Sequence, residues 1–161
     1  MSTKPTTERQ VEAFRRFLGK LPHGKDVELV ILKAHLLIEE QIRQIVDERL
    51  KTPAALRDAR LTFHQAFCLA QAFFPADHDA PLWSALKKFN KIRNDIAHTI
   101  EPNQLQNRIE EFVISFPTGF ADWPDETVRF ELVLWSLFVA VCDLVDRPSA
   151  QVLELVPRNE S

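Results

Sequence analysis

Between Asp26 and Leu50 the apolar residues recur at helical spacing on two sides at once. Val27, Val30, Ile31, Ala34, Leu37, Ile38, Ile45 and Val46 make one broad stripe, and Leu29, Leu32 and Leu36 make a second on the opposite side. A helix patterned this way sits at the centre of a bundle or is shared with another subunit. Asp26 is placed to cap its first turn, and Glu28 suits the positive end of the helix dipole. With only three Gly and no Tyr, the chain has no run of Gly-punctuated alternating strands, which argues against a turn-rich β sandwich.

The remaining segments repeat the helical period. Thr7 followed by Gln10 is a capping-box pair, and Val11, Phe14, Phe17 and Leu18 follow it until Gly19, Pro22 and Gly24 end the run. Thr52-Pro53 reads as a cap with proline at the first helical position, opening a short helix to about Ala59. Thr62 and Gln65 form a second capping box ahead of Phe63, Ala66, Phe67, Leu69, Ala70, Phe73 and Phe74. Pro81 opens a helix that reaches about Ile100 before Pro102 stops it. Asn103 is expected to cap the next helix, through Phe116, and a last long helix runs from about Asp125 to Asp146. The expected fold is an all-α, mostly antiparallel helical bundle of about five main helices plus short ones. It forms one domain over residues 1–161, with its core at about 7–147 and a tail at 148–161. The first six residues are expected to be loose.

Bulk properties narrow the function. The net charge of -3 is not that of a protein coated in basic charge, so any nucleic-acid contact has to be local. Cys68 and Cys142 stand singly in apolar runs and read as buried free thiols, with a catalytic or bridged thiol as the minority case. No secretory signal opens the sequence, and a reducing cytoplasm is the expected compartment. The most apolar run, Leu132 to Cys142, is too short to span a bilayer, so no membrane partner is expected. A Gly-rich phosphate loop, a G-x-S-x-G elbow and paired CxxC motifs are all missing.

The segment with chemical content is Lys87-Lys88-Phe89-Asn90-Lys91-Ile92-Arg93-Asn94-Asp95-Ile96-Ala97-His98. On a helical wheel Leu82, Leu86, Phe89, Ile92, Ile96 and Ile100 share one arc, and Arg93 falls near its middle. An arginine there costs desolvation unless it is paired. Asn94 and His98 share a different edge with Trp83 and Lys87. The Cβ directions of Arg93 and His98 differ by about 140°. One straight helix therefore does not aim both side chains at one atom. Either the long arginine reaches around, or two copies of the helix meet so that each His faces the other copy's Arg. An imidazole, which titrates near pH 6.5, can take a proton from a ribose 2′-OH or give one to a leaving oxygen. A guanidinium can hold the phosphate bidentately, and Asn94 can orient either group. Lys87, Lys88 and Lys91 form a local basic patch for backbone phosphates.

Arg93-Asn94-Asp95-Ile96-Ala97-His98 resembles the R-N-x-x-A-H form of the Arg-x4–6-His motif of HEPN domains. The specific match covers these six residues. His35-Leu36-Leu37-Ile38-Glu39-Glu40 is only loosely similar to the first core helix of that superfamily. The resemblance implies a helical bundle that dimerises with the motif at the interface. It also implies metal-independent endoribonuclease activity, with Arg93, Asn94 and His98 as the catalytic residues and no cofactor. Such members act in toxin–antitoxin, phage-defence or RNA-processing settings, where a neutralising partner protein is one expected associate. Other members have lost catalysis and serve as binding or regulatory modules, mannitol-repressor-like proteins among them. Both readings stay open here.

Weaker constellations remain. His35 and Glu39 are four apart and could ligate a metal, but a single His–Glu pair supplies too few ligands for a di-iron bundle. Glu39 is better placed as a supporting residue that orients Arg93. Asp77-His78-Asp79 reads as a solvated loop, His64 as a satisfied helix residue, and the three Trp as core or interface residues.

Overall fold

The computed structural model describes residues 5–99 and 103–148. Seven α-helices and no strand occur among the described residues: α1 (Glu8–Lys20), α2 (Val27–Asp47), α3 (Ala54–Arg57), α4 (Phe63–Ala72), α5 (Ala80–His98), α6 (Leu105–Ser115) and α7 (Glu126–Asp146). The expectations for residues 1–4, for Ile100 and Pro102, and for the tail over 149–161 fall outside them.

Helix starts follow local side-chain chemistry. At α1 the Gln10 amide donates to Thr7 Oγ1 at 3.2 Å, and the Thr7 amide donates back to Gln10 Oε1 at 2.9 Å. Thr62 and Gln65 repeat the exchange at α4. Asp26 and Asp125 accept from the amides of Leu29 and Val128 at 3.0 and 2.8 Å. These reciprocal bonds satisfy amides that have no partner one turn back.

Several expected boundaries move. α2 ends at Asp47 rather than Leu50, and α3 is only the four residues after Pro53, with no side-chain cap from Thr52. Gln104, not Asn103, precedes α6; it is left-handed at φ 69° and caps nothing with its side chain. Asp79 precedes α5 in the same conformation at φ 52°. A left-handed residue swings the chain into the helix from outside the extended region that capping side chains need.

α2 packs against α7, α4, α5 and α1, so the helix with the broadest apolar stripe is the central one. Val30, Ile31, Ala34, Ile38, Ile42 and Ile45 are fully buried along it. Phe17 stacks on Phe138 at 4.4 Å, Phe67 meets Trp83 edge-on at 5.6 Å, and Phe89 lies 5.4 Å from Phe112. Each such side chain contributes about 1.5–3 kcal/mol by leaving water. The second stripe of α2 behaves differently: Leu36 is 61% exposed, Leu29 also faces outward, and Leu32 is half-buried. One chain alone covers only one of the two stripes.

One cysteine expectation is corrected, and those for the tryptophans and the 77–79 loop gain detail. Cys142 is buried, its thiol pushed up to about 12 by burial, but Cys68 is exposed, with Sγ 3.6 Å from His64 Nε2. Trp83 is buried, Trp135 is half-buried against Phe14 and Phe17, and Trp123 is exposed beside Phe120. The loop at 77–79 is solvated at Asp77 and held at His78, which stacks on Phe74 and whose Nε2 accepts from Arg147 Nη1 at 3.0 Å. Among the described residues no helix is long and apolar enough to cross a membrane.

Candidate nucleic-acid interface between α2, α4 and α5

α5 is oriented by what it buries. Leu82, Leu86, Phe89 and Ile92 face the core, and Asp95 pairs with Arg108 of α6 at 2.6 Å. Asp95, inside the six-residue motif, therefore has a structural task. It fastens the C-terminal half of α5 to α6.

With the helix so turned, Arg93 is not enclosed in the core. It lies half-buried on the wall of a cleft of about 400 Å³ between α2, the start of α4 and α5. Asn90 and Asn94 stand beside it on α5, His35, Glu39 and Arg43 come from α2, and Leu61 to His64 close the far side. Arg93 Nη1 donates to Asn94 Oδ1 at 3.1 Å. Among the described residues it has no ion pair.

Glu39 is not the partner of Arg93. Its carboxylate accepts from Arg43 Nε and Nη2 at 3.1 and 2.6 Å. A neighbour four residues on along the same helix wins over a group on another helix, because the intrahelical pair costs little ordering. Arg43 Nη2 also donates to the Leu61 carbonyl at 2.7 Å, tying the loop before α4 to α2. The charges of Glu39 and Arg43 cancel, and among the described residues Arg93 is the cleft cation with no carboxylate paired to it.

His35 forms the floor. Its side chain is 2% exposed, its Nε2 is 2.9 Å from Asn90 Oδ1, and its ring lies 4.5 Å from that of Phe63. The Asn90 oxygen accepts, so Nε2 carries the proton and Nδ1 is an acceptor. Nδ1 has no hydrogen-bond partner among the described residues, and Glu39 Oε2 is 3.9 Å away. Burial, with the nearby charge of Arg93, holds this imidazole below the ordinary histidine value, while Asn90 and Glu39 oppose the shift.

The sign of the consequence is fixed. As pH falls below about 6.5 the unfolded chain takes up a proton that folded His35 refuses, so stability falls with pH through that range. Urea unfolding should show a decline in stability from about pH 7 to pH 5, to which this group adds at most about 1.4 kcal/mol per pH unit. The decline should be shallower in His35→Gln. Equal slopes in the two proteins would show that His35 titrates normally.

His98 is placed elsewhere. It is exposed at the last turn of α5 and does not line the cleft with Arg93. Helical spacing puts it on the side that carries Asn94, Lys87 and Lys91. All three lysines are exposed, and Lys87 Nζ rests 5.8 Å from the centre of the Phe67 ring. One chain thus brings Arg93 and Asn94 together and leaves His98 and the lysines on an adjoining outer ridge.

No family model, curated protein or solved structure matches the chain. The chemistry of the site has to be argued from its own residues. Three of them, Arg43, His64 and Asn90, are not evident from the motif. Asn90 was within reach, one helical turn before Asn94. His64 and Arg43 come from other helices and carry no local signal of a shared cleft.

Proposed function

We propose that the chain binds RNA and cleaves it without a metal, as a HEPN-like homodimer. Each active site combines Arg93 and Asn94 of one copy with His98 of the other. The observation that carries this reading is the half-buried guanidinium of Arg93, which faces a polar cleft with no carboxylate paired to it. A phosphodiester is an anion whose two non-bridging oxygens such a fork can hold bidentately. The dimer is supported by the outward stripe of α2. Leu29, Leu32 and Leu36 continue at helical spacing into Glu39 and Arg43 at the cleft, so apolar surface runs up to its rim.

In the proposed reaction an imidazole takes the proton of the ribose 2′-OH. The 2′ oxygen attacks phosphorus, the bond to the 5′ oxygen breaks, and that oxygen takes up a proton as it leaves. The products are a 2′,3′-cyclic phosphate and a 5′-hydroxyl. Arg93 stabilises the charge that builds on the phosphoryl oxygens, Asn94 holds the guanidinium in place, and Lys87, Lys88 and Lys91 take flanking phosphates.

The test is cleavage of a mixed RNA pool by the purified chain, with and without EDTA. Cleavage should survive EDTA and fall on the order of 10²–10⁴-fold in His98→Ala, with unchanged circular dichroism. Undiminished cleavage by His98→Ala would sink the assignment. One observation favours a second reading: His98 is exposed, and its side chain has no hydrogen bond or ion pair among the described residues. A non-catalytic helical module that binds a protein or nucleic acid on the same ridge would show binding and no cleavage, in wild type and His98→Ala alike.

A further inference from the structure

The wall of the cleft opposite Arg93 is the N-terminal end of α4. Thr62 Oγ1 is used by the Gln65 amide, and the Ala66 amide donates to the Thr62 carbonyl. The amides of Phe63 and His64 are the two donors this end leaves uncommitted among the described residues. They sit at the positive pole of a ten-residue helix, a setting that binds anions. A helix end alone does not make a site. Here a second observation points to a ligand: the buried Nδ1 of His35, on the same cleft, is an acceptor with no donor. Inorganic phosphate has a P–OH only on the group that Arg93 and the α4 amides would hold, with no hydroxyl set apart from it. A nucleotide brings ribose hydroxyls as well as phosphate.

We propose that the α2–α4–α5 cleft is a nucleotide subsite. In it one phosphate lies between the Arg93 guanidinium and the α4 amides of Phe63 and His64. A sugar hydroxyl supplies the donor that His35 Nδ1 needs, directly or through a water. The subsite rests on the RNA reading for the identity of its ligand, but its occupancy does not depend on bond cleavage. It adds to the outer lysine ridge a second contact on the strand, one that reads sugar as well as charge. The proposal explains why Asn94 and Asn90 are both engaged through their oxygens, by Arg93 and His35. Their amide N–H groups have no acceptor among the described residues and are further donors for an anion.

The experiment is an NMR titration of the full chain with inorganic phosphate, a mixture of ribonucleoside 3′-monophosphates and the corresponding 2′-deoxynucleotides. Ribonucleotides should move the Phe63 and His64 amides, the Arg93 side chain and the His35 Nδ1 resonance together. Phosphate should move the first three more weakly, and 2′-deoxynucleotides should move His35 Nδ1 less than ribonucleotides do. The decisive variant is His64→Glu. A carboxylate in the first turn of α4 favours the helix and repels a phosphate, so ribonucleotide affinity should drop on the order of tenfold or more while the melting temperature holds. Arg93→Gln should weaken binding on the same scale. Unaltered affinity in His64→Glu, or no response at Phe63 and His64, would overturn the subsite. If RNA is never cut yet these resonances respond, the cleavage reading fails and the subsite stands. If RNA is cut and His64→Glu cuts and binds as well as wild type, the subsite alone fails.

Discussion

Arg9→Ala is expected to lower the unfolding free energy by about 3 kcal/mol, a large share of the stability of a domain this size. Arg9 Nε and Nη2 donate to the Asp146 carboxylate at 3.0 and 3.1 Å, Nη2 also to the Cys142 carbonyl at 2.8 Å, and Nη1 to Gln41 Oε1 at 2.6 Å. One guanidinium thus joins α1 to the central helix and to the end of α7. The side chains of Arg9 and Asp146 are 24% and 17% exposed, and Gln41 is buried. Removal takes the charged donor from three acceptors at once, and what remains, Thr7 Oγ1 on Asp146 and the Cys142 thiol on Gln41, replaces only part of it. Arg9→Lys should recover only part of the loss, because an ammonium cannot bridge three acceptors in a fixed fork. Arg16→Ala is the internal control. Its partner Glu40 is at 2.6 Å, but both side chains are 40% exposed or more, and the change should cost under about 1 kcal/mol. Urea denaturation of the three variants checks the order; equal costs for Arg9→Ala and Arg16→Ala would show that the Arg9 network is not a structural tie.

This network shows where reading along the chain stops. Thr7, Asp26, Thr62 and Asp125 announce their helices because a cap is settled within four residues. The central position of the second helix follows from the width of its apolar stripe. Arg9 looks like an ordinary surface arginine of an amphipathic helix, and its partners lie 32 and 137 residues away. The cleft had the same difficulty. Arg93 could be seen to lie on the wrong side of its helix, which is a local fact. That α5 turns it toward a groove, and that Arg43 takes Glu39 first, depends on packing among three helices. Gln104 and Asp79 were missed for another reason, since a left-handed residue other than glycine leaves no compositional mark.

The motif itself poses the sharper question, because Arg93 lines the cleft and His98 does not. If each active site takes its arginine from one copy and its histidine from the other, two inactive variants should rescue each other. Arg93→Ala and His98→Ala, each expected to be inactive, are co-expressed or mixed under conditions that allow subunit exchange. In a mixed dimer one site lacks both groups. The other site combines the arginine of the His98→Ala copy with the histidine of the Arg93→Ala copy and is complete. Random pairing makes about half of the dimers mixed, each with one good site of two, so activity should return to about a quarter of wild type. A site built within one chain predicts no rescue, since both sites of the mixed dimer would then lack one group. The measurement is the initial rate of RNA cleavage against mixing ratio, and it should peak at equal proportions. No activity at any ratio, beside active wild type, would remove the composite site and require Arg93 to reach around its own helix. A peak near a quarter would mean that the outward placement of His98, which makes it useless to its own Arg93, is what suits it to serve the arginine of a second copy.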